Sequence, residues 1–382
     1  MHPPALLQYC EQQQAWLIDT IEALVRAESP SHDKAAVDAC VSELARIAAG
    51  AGLRVTRLPV AEAGDHLRIE IGEGDSQLLL LGHTDTVWPV GTLAVMPIRR
   101  EGDRLYGPGV YDMKAGLALG LLALRAVAAS LDRPPHVVLL ATSDEEVGSA
   151  TSRALIEEEA RRSKAVLVLE PALEGGGVKT GRKGVGEFRI DLEGVPAHAG
   201  LRPEAGASAI RELARQVLAI EALADPSMGT TINVGVVGGG TRSNVVAEHA
   251  WALVDVRVTS AAEAARITAA LRALSAVDGR VRVRVSGEIA RPPLERSPLV
   301  LALYEQARAA AAALGRPLPE GVVGGASDGN FTAALGVPTL DGLGPVGDGA
   351  HARHEHVLLE PMAFRAALLA LLTGRLASAA PA

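Results

Sequence analysis

A histidine and an aspartate follow a short apolar segment near residue 80. Four consecutive leucines and a glycine precede His83, and Asp85 lies two residues further along the chain. A continuous apolar segment bounded by glycine and polar residues is typical of a strand buried on both faces of a parallel sheet. In such sheets chemistry takes place beyond the carboxyl ends of the strands. A nearby carboxylate can accept the second ring N–H of a ligating histidine. The segment by itself is therefore compatible with a functional His83 that Asp85 orients and with a hydrogen-bonded structural histidine.

Five further residues could bind a metal or transfer a proton, and each follows a strand or a glycine-rich turn of the predicted main domain. They are Asp112, Glu145, Glu146, Glu170 and His351. Taken singly, each has a structural interpretation, such as a helix cap, a solvated turn or a surface charge. Together with His83 they place two histidines and several carboxylates at one predicted sheet edge. That set of side chains suits a pair of divalent ions bridged by a carboxylate.

Length, composition and charge exclude several classes of protein. The 382 residues, of which 48% are hydrophobic and 21% charged, are typical of a globular protein with two domains. A formal charge of −8 and the lack of a basic segment argue against a nucleic-acid partner. The apolar segments are interrupted before the ~18 residues of a membrane span, and the N-terminus lacks a signal-peptide pattern. Cys10 and Cys40 form no CxxC motif, so we expect reduced thiols and a cytoplasmic location.

The pattern of predicted elements changes twice along the chain. Residues 1–180 and 292–382 alternate strands with helices, which predicts an α/β domain with a mixed or parallel sheet. Residues 181–291 follow the order β-α-β-β-α-β, which is typical of a small ferredoxin-like α+β domain. In this inserted domain we expect one helix to begin at Glu204 and the longest strand to begin at Asn244. The sequence thus predicts a main α/β domain interrupted by an inserted lid.

Six segments resemble the M20 peptidases, a family of dinuclear zinc hydrolases. They are HTDTVWP, YDMKAG, TSDEEVGS, VLEP, GVPAHAG and ASDGNF…GLGPVGDGAH, in the order of the family. The similarity extends from about Ser29 to the last predicted helix, and the most similar branch is that of the glutamate carboxypeptidases. The resemblance implies a mixed-sheet catalytic domain with an inserted ferredoxin-like lid and dimerisation domain.

The resemblance also implies a role for each candidate residue of the main domain. Two Zn²⁺ ions would bind in each subunit, with Co²⁺ or Mn²⁺ as substitutes. The ions would share Asp112, and the other ligands would be His83 and Glu170 at one site and Glu146 and His351 at the other. Glu145 would be the general base that takes the proton from water, and Asp85 would orient His83. The bond between Asp112 and Met113 is expected to be cis, as in the family.

Three histidines compete for the last ligand position. We favour His351 over His354 and His356 because the family ligand closes a glycine-rich loop, here GDGAH. An acidic residue follows a few positions later in the family, and Glu355 occupies that place.

Four residues of the predicted lid have implied roles as well. Asn244, Arg257 and Arg291 match positions that hold the carboxylate of the substrate, for which a planar guanidinium is suited. His198, in GVPAHAG, would reach the active site of a partner subunit and stabilise the oxyanion. From the residues alone, His198 could brace a turn and the arginines could be solvated charges at strand ends. The resemblance therefore implies a homodimer formed through the lid.

Three functions are compatible with these residues. The resemblance favours hydrolysis of the amide bond to a C-terminal amino acid, with glutamate expected, in N-acyl or peptidyl substrates. Glu170 stands where this branch often has aspartate, which makes an N-acyl-amino-acid deacylase of the aminoacylase or desuccinylase type the alternative. A peptide-binding protein that needs metal but does not catalyse is a third hypothesis. Glu145 argues against that hypothesis, because binding alone requires no general base.

Overall fold

The structure is a computed structural model that describes residues 1–74 and 76–378. The chain divides into two compact units. The first contains Met1–Gly181, Arg296–Val322 and the chain from Ser327 onward, and the second contains Arg182–Glu295 and Val323–Ala326. The role of the second unit as a lid and dimerisation domain stays a prediction.

Helices and strands alternate through much of the described chain. The α-helices are α1 (Pro3–Gln12), α2 (Gln14–Arg26), α3 (Lys34–Gly50), α4 (Ala115–Ser130), α5 (Arg153–Arg161), α6 (Ala209–Glu221), α7 (Ala261–Arg272), α8 (Pro298–Ala313), α9 (Gly329–Ala334) and α10 (Met362–Ser378). The strands are β1 (Arg54–Leu58), β2 (His66–Ile71), β3 (Gln77–His83), β4 (Arg99–Glu101), β5 (Arg104–Tyr106), β6 (Val137–Thr142), β7 (Ser163–Val168), β8 (Val178–Arg182), β9 (Gly184–Glu193), β10 (Thr231–Gly239), β11 (His249–Val258), β12 (Arg282–Arg291), β13 (Glu320–Val323), β14 (Thr339–Leu340), β15 (Gly347–Asp348) and β16 (His356–Leu358).

The main sheet of the first unit has six strands in the order β1-β2-β6-β3-β7-β14. Strand β3 lies parallel to both β6 and β7, and β14 lies parallel to β7. Strands β1 and β2 are antiparallel to their neighbours. The predicted mixed sheet is confirmed. The carboxyl ends of β3, β6 and β7 meet at one edge, where the candidate ligands follow.

Strand β3 is buried on both faces, as its leucines predict. Leu78 and Leu80 pack into the core formed with α1, α2, α4 and α10, whereas Leu79 and Leu81 pack against residues of α5 and α9 on the other face. Every residue of this strand is buried. Consecutive side chains of a strand point to opposite faces, so four leucines in a row supply both cores equally.

One helical segment of the first unit is longer and more apolar than predicted from the sequence. Val110–Ser130 is long and apolar enough for a membrane span, but 78% of its apolar 18-residue stretch is buried inside the fold. The helix contacts α10 and the main sheet, and its glycines permit close packing. A Cβ added at Gly116 would lie 2.2 Å from the carbonyl oxygen of Leu169. These contacts are those of a core helix.

The second unit is a four-stranded antiparallel sheet, in the order β10-β11-β9-β12, with α6 and α7 on one face. The element order is the predicted β-α-β-β-α-β. Two predicted boundaries were wrong. Helix α6 begins at Ala209, because the Ser208 side chain caps it after a separate 3₁₀ turn. Strand β11 begins at His249, so Asn244 lies in the preceding loop.

Candidate metal centre

The candidate ligands of the first unit converge at the carboxyl edge of the main sheet. His83 ends β3, Glu146 follows β6, and Glu170 follows β7. Asp112 lies in the turn before α4, and His351 lies in the loop after β15. His83 and His351, which are 268 positions apart in the chain, thus each lie within 3.5 Å of the Asp112 carboxylate.

Two groups of potential donors share Asp112. Its Oδ1 lies 3.3 Å from Nε2 of His83, which is also 3.5 Å from Glu170 Oε1. Its Oδ2 lies 3.5 Å from Nε2 of His351, which is 3.2 Å from Glu146 Oε2. Within each group the donor atoms lie within 4.8 Å of one another. One oxygen of a single carboxylate therefore faces each group.

The spacing of these donors fits a divalent metal ion. Tetrahedral ligands at roughly 2.1 Å from an ion are separated by about 3.4 Å, and the separations above are 3.2 to 3.5 Å. Nδ1 of His83 lies 3.0 Å from the main-chain oxygen of Asp85. A carbonyl only accepts hydrogen bonds, so in the neutral ring Nδ1 carries the proton and Nε2 presents its lone pair. Nε2 of His83 is buried and makes no hydrogen bond with any residue that the structure describes, as expected of a metal-binding nitrogen.

The electrostatic potential in both groups favours a cation. Burial alone would lower the pKa of His83, but the surrounding carboxylates, with Asp112 foremost, raise that pKa well above its usual value. The carboxylates of Asp112 and Glu146 raise the pKa of His351 to about 10. Burial raises the pKa of Glu146, and the Asp112 charge contributes in the same direction. Carboxylates held this close together are stabilised by positive charge between them.

The backbone around the ligands is unusual at two points. The bond between Asp112 and Met113 is cis, which confirms the expectation from the resemblance. His351 has a φ of 59°, a left-handed conformation that is uncommon for residues other than glycine. Such conformations occur often at functional sites, where the surrounding structure holds them.

Comparisons with known proteins identify the family. Residues 79–375 match the peptidase family M20/M25/M40. The chain is 32% identical over 355 residues to carboxypeptidase G2 of a Pseudomonas species, with 91% of this chain and 86% of that protein covered. The chain belongs to peptidase family M20. This M20 protein is also 30% identical over 346 residues to a succinyl-diaminopimelate desuccinylase of Xylella fastidiosa, with 80% and 85% covered.

The fold of the M20 protein is shared with a solved structure, aminopeptidase PepT of Bacillus cereus. The TM-score is 0.77 at 24% identity, and 96% of this chain and 99% of that chain are covered. Membership of family M20 makes the protein a hydrolase of peptide or acyl amide bonds.

In the M20 protein, Asp85 contacts other residues of the site in addition to His83. Its carboxylate is fully buried and accepts from the main-chain N–H groups of Glu145 and Glu146, each at 3.2 Å. Ser31 Oγ donates to the same carboxylate at 2.7 Å. The closest contact of Asp85 with the His83 ring is through its main-chain oxygen, whereas its Oδ1 lies 3.4 Å away. Asp85 thus holds the turn that carries Glu145 as well as the ring of His83.

Among the described residues, Glu145 belongs to neither donor group. Its main-chain N–H is held by Asp85, and its neighbour Glu146 belongs to the second group. The structure therefore brings the predicted base next to the predicted ligands without making it one of the clustered donors.

The other two histidines near His351 do not join the donor groups. His354 is exposed and lies 3.8 Å from Asp348. His356 is buried in β16, where its ring packs against Tyr106.

Two further buried residues, neither of them a predicted ligand or catalytic group, support the site of the M20 protein. Glu355 accepts hydrogen bonds from four N–H groups of the segments around Trp88 and Asp112. Burial raises the pKa of Glu355, although these hydrogen bonds act in the opposite direction. Arg365, which is also fully buried, donates to the carbonyl oxygens of three glycines, including Gly344. Gly344 in turn donates to the main-chain oxygen of Glu170. No local sequence pattern marks Arg365, whereas Glu355 is the acidic residue that follows the glycine-rich loop in the family.

In the second unit, His198 and Asn244 lie close together. The N–H of Ala199 donates to the carbonyl oxygen of Asn244 at 3.0 Å, and His198 is exposed. Nδ1 of His198 accepts from the N–H groups of Gly200 and Leu201. In the neutral ring the proton is therefore on Nε2, which is a hydrogen-bond donor.

The two predicted arginines lie on the same side of the sheet of the second unit. Arg257 on β11 and Arg291 on β12 are both paired in register with Val185 of β9. Two strand spacings separate their Cα atoms by about 10 Å. The Arg257 guanidinium is already engaged, because its Nε and one Nη donate to the carboxylate of Asp255 at 2.9 to 3.2 Å.

Proposed function

We propose that this M20 hydrolase uses two divalent ions, in the first instance Zn²⁺, to cleave the amide bond to a C-terminal amino acid. Glutamate is the residue we expect to be released, from N-acyl or peptidyl substrates. The observation that supports two ions is the orientation of Asp112, whose two oxygens face separate groups of donors. His83 with Glu170, and His351 with Glu146, complete the two groups.

In this proposal the ions and the protein side chains contribute different parts of the reaction. Bound divalent ions supply Lewis-acid polarisation of the carbonyl and lower the pKa of water. In this proposal Glu145 removes the proton from the attacking water and delivers it to the leaving nitrogen. Asp85 holds the main chain at Glu145 through a hydrogen bond of 3.2 Å, so the backbone that carries the base is held before the substrate binds.

Recognition of the substrate carboxylate is assigned in this proposal to the second unit. Arg257 and Arg291 flank Val185 on one face of the sheet, which gives two cations a common orientation. Asn244 would contribute its side-chain amide from the loop beside His198. A planar guanidinium can bind a carboxylate through two parallel hydrogen bonds, so the arginines would select substrates with a free terminal carboxylate.

A deacylase of the desuccinylase type is the second candidate. The third carboxylate ligand is Glu170, where the glutamate carboxypeptidase branch often has aspartate. The similarity to a succinyl-diaminopimelate desuccinylase also covers 80% of this chain. Both reactions hydrolyse an amide bond, so the same centre would serve either substrate.

A homodimer through the second unit also belongs to the proposal. Strand β10 is at the edge of its sheet and exposes Val236 and Val237. Helix α6 exposes Leu218, a residue that is 72% accessible. An edge strand beside exposed apolar side chains favours pairing with another chain, and two-fold symmetry is the commonest form of pairing. His198, with Nε2 as donor, would then stabilise the oxyanion in the partner's site.

A cytoplasmic location is proposed from the thiols. Cys10 and Cys40 are both free and buried, and free thiols persist in reducing compartments.

Metal analysis and a substrate panel test the proposal. Purified protein should contain close to two ions per chain and should hydrolyse N-acylglutamates faster than other N-acyl amino acids. Higher kcat/KM for N-succinylated diamino acids would select the deacylase. Absence of bound metal after incubation with Zn²⁺ would refute the proposed centre.

A further inference from the structure

Glu355 is a fully buried carboxylate whose two oxygens accept four hydrogen bonds. Oε1 accepts from the main-chain N–H groups of Tyr111 at 2.9 Å and Asp112 at 3.1 Å. Oε2 accepts from the N–H of Gly109 at 2.9 Å and from the indole Nε1–H of Trp88 at 2.7 Å. All four donors are directed at one anion, so both oxygens are fully used.

These bonds join three of the segments that carry candidate ligands, those of His83, Asp112 and His351. Glu355 lies four residues after His351, and Trp88 lies five residues after His83. The remaining three donors form the turn that ends at Asp112. An anionic acceptor makes shorter and stronger hydrogen bonds than a neutral one, so one carboxylate links all three segments with charge-assisted bonds.

We propose that Glu355 is a positioning residue that sets the orientation of Asp112 between the two donor groups. The inference rests on the proposed metal-dependent function. Glu355 contacts the N–H of Asp112 and not its carboxylate, so it acts through the main chain. The bond holds the peptide plane from which the Asp112 side chain projects, and it thereby keeps one carboxylate oxygen toward each histidine.

The four donors require a carboxylate of this length. In Glu355→Gln, one acceptor oxygen becomes an NH₂ group, which would face two N–H donors and repel them. In Glu355→Asp the charge is kept, but the side chain is shorter by one methylene and cannot reach all four donors. The first variant should therefore disturb the turn more than the second.

Two matched controls separate positioning from general stability. Glu159→Gln changes another buried carboxylate, which accepts from Gln77 Nε2 at 2.7 Å and from Arg68 Nε at 3.1 Å. Gln77 begins β3, whereas the ligand of that strand ends it, about 20 Å away. Trp88→Phe removes the indole donor from Glu355 but leaves the three bonds to the Asp112 turn.

The experiment titrates Zn²⁺ into each full-length variant after removal of bound metal, with calorimetric detection, and records thermal unfolding in parallel. Loss of a group that orients a metal ligand typically weakens affinity by ~10- to 100-fold. We expect that loss for Glu355→Gln, an intermediate loss for Glu355→Asp, and affinity close to that of the wild type for Trp88→Phe and Glu159→Gln.

Each outcome bears on one proposal. If the wild type binds no Zn²⁺, the proposed function fails. If the wild type binds and Glu355→Gln binds equally well, only the positioning role is overturned. Equal weakening by Glu159→Gln at similar thermal stability would also overturn it, because the effect would then reflect the fold as a whole. If Glu355→Gln does not fold, Glu355→Asp decides by the same criterion, and failure of both to fold would make Glu355 a purely structural residue.

Discussion

The ion pair between Arg257 and Asp255 leads to a prediction about substrate affinity. Arg257 is proposed to bind the substrate carboxylate, yet its Nε and one Nη already donate to Asp255. The substrate must therefore compete with an internal carboxylate. Asp255→Asn removes the competing charge and keeps one acceptor oxygen, so we expect this variant to bind the substrate more tightly than the wild type.

The size of the effect follows from the exposure of the pair. The side chains of Arg257 and Asp255 are 34% and 45% accessible, and exposed ion pairs contribute about 0.2–1 kcal/mol. Loss of that competition should lower KM by about 1.4- to 5-fold, since 1.4 kcal/mol corresponds to a factor of 10. Removal of the guanidinium itself costs more, because a hydrogen bond to a charged group contributes about 1.5–3 kcal/mol. Arg257→Ala should therefore raise KM by about 10- to 150-fold.

Steady-state kinetics on an N-acylglutamate and its α-carboxamide measure both effects. The changes in KM should appear with the carboxylate and be nearly absent with the amide. Arg189 and Asp191 on β9 form a pair with the same two-residue spacing, at 3.0 Å, and their variants Arg189→Ala and Asp191→Asn serve as controls. A higher KM for Asp255→Asn, or equal losses on both substrates for Arg257→Ala, would refute the assigned role of Arg257.

Three further predictions concern catalysis, assembly and acid stability. Glu145→Gln should keep both metal ions by elemental analysis and lose about 10²–10⁴-fold in turnover, the usual contribution of a general base; loss of metal in parallel would make Glu145 a ligand instead. Mixing Glu145→Gln with His198→Ala under conditions of subunit exchange should restore activity if His198 acts in the partner's site, whereas inactive heterodimers would exclude that role. Hydrogen bonds from Arg266 and Thr230 lower the pKa of Glu263 to about 2, below its value in the unfolded chain. Its contribution to stability is therefore present above about pH 4.5 and lost as the pH falls toward 2; in Glu263→Gln, thermal unfolding should be less dependent on pH across this window, and an unchanged pH profile would contradict the assignment.

Much of the fold was predictable because its signals are local. The four leucines of β3 determine a strand buried on both faces, since alternate side chains must enter two apolar cores. The first and last residues of helices and strands were less predictable, because a short polar segment can either begin a helix or form a separate turn. Helix α6 was expected from Glu204 but begins at Ala209, because the Ser208 side chain provides the cap and Pro203–Ala205 forms a separate turn.

The candidate site was also predictable from the sequence only in part. The sequence by itself determined the types of side chain at the strand ends, including His83 and Asp112, because motifs and predicted strands are properties of neighbouring residues. Only the tertiary structure decided that the two oxygens of Asp112 face different groups, and that Glu355 holds its main chain from 243 residues away. It also decided that Arg257 is paired with Asp255. Side-chain orientation depends on partners that the folded chain brings together, and local sequence carries little information about contacts at that separation.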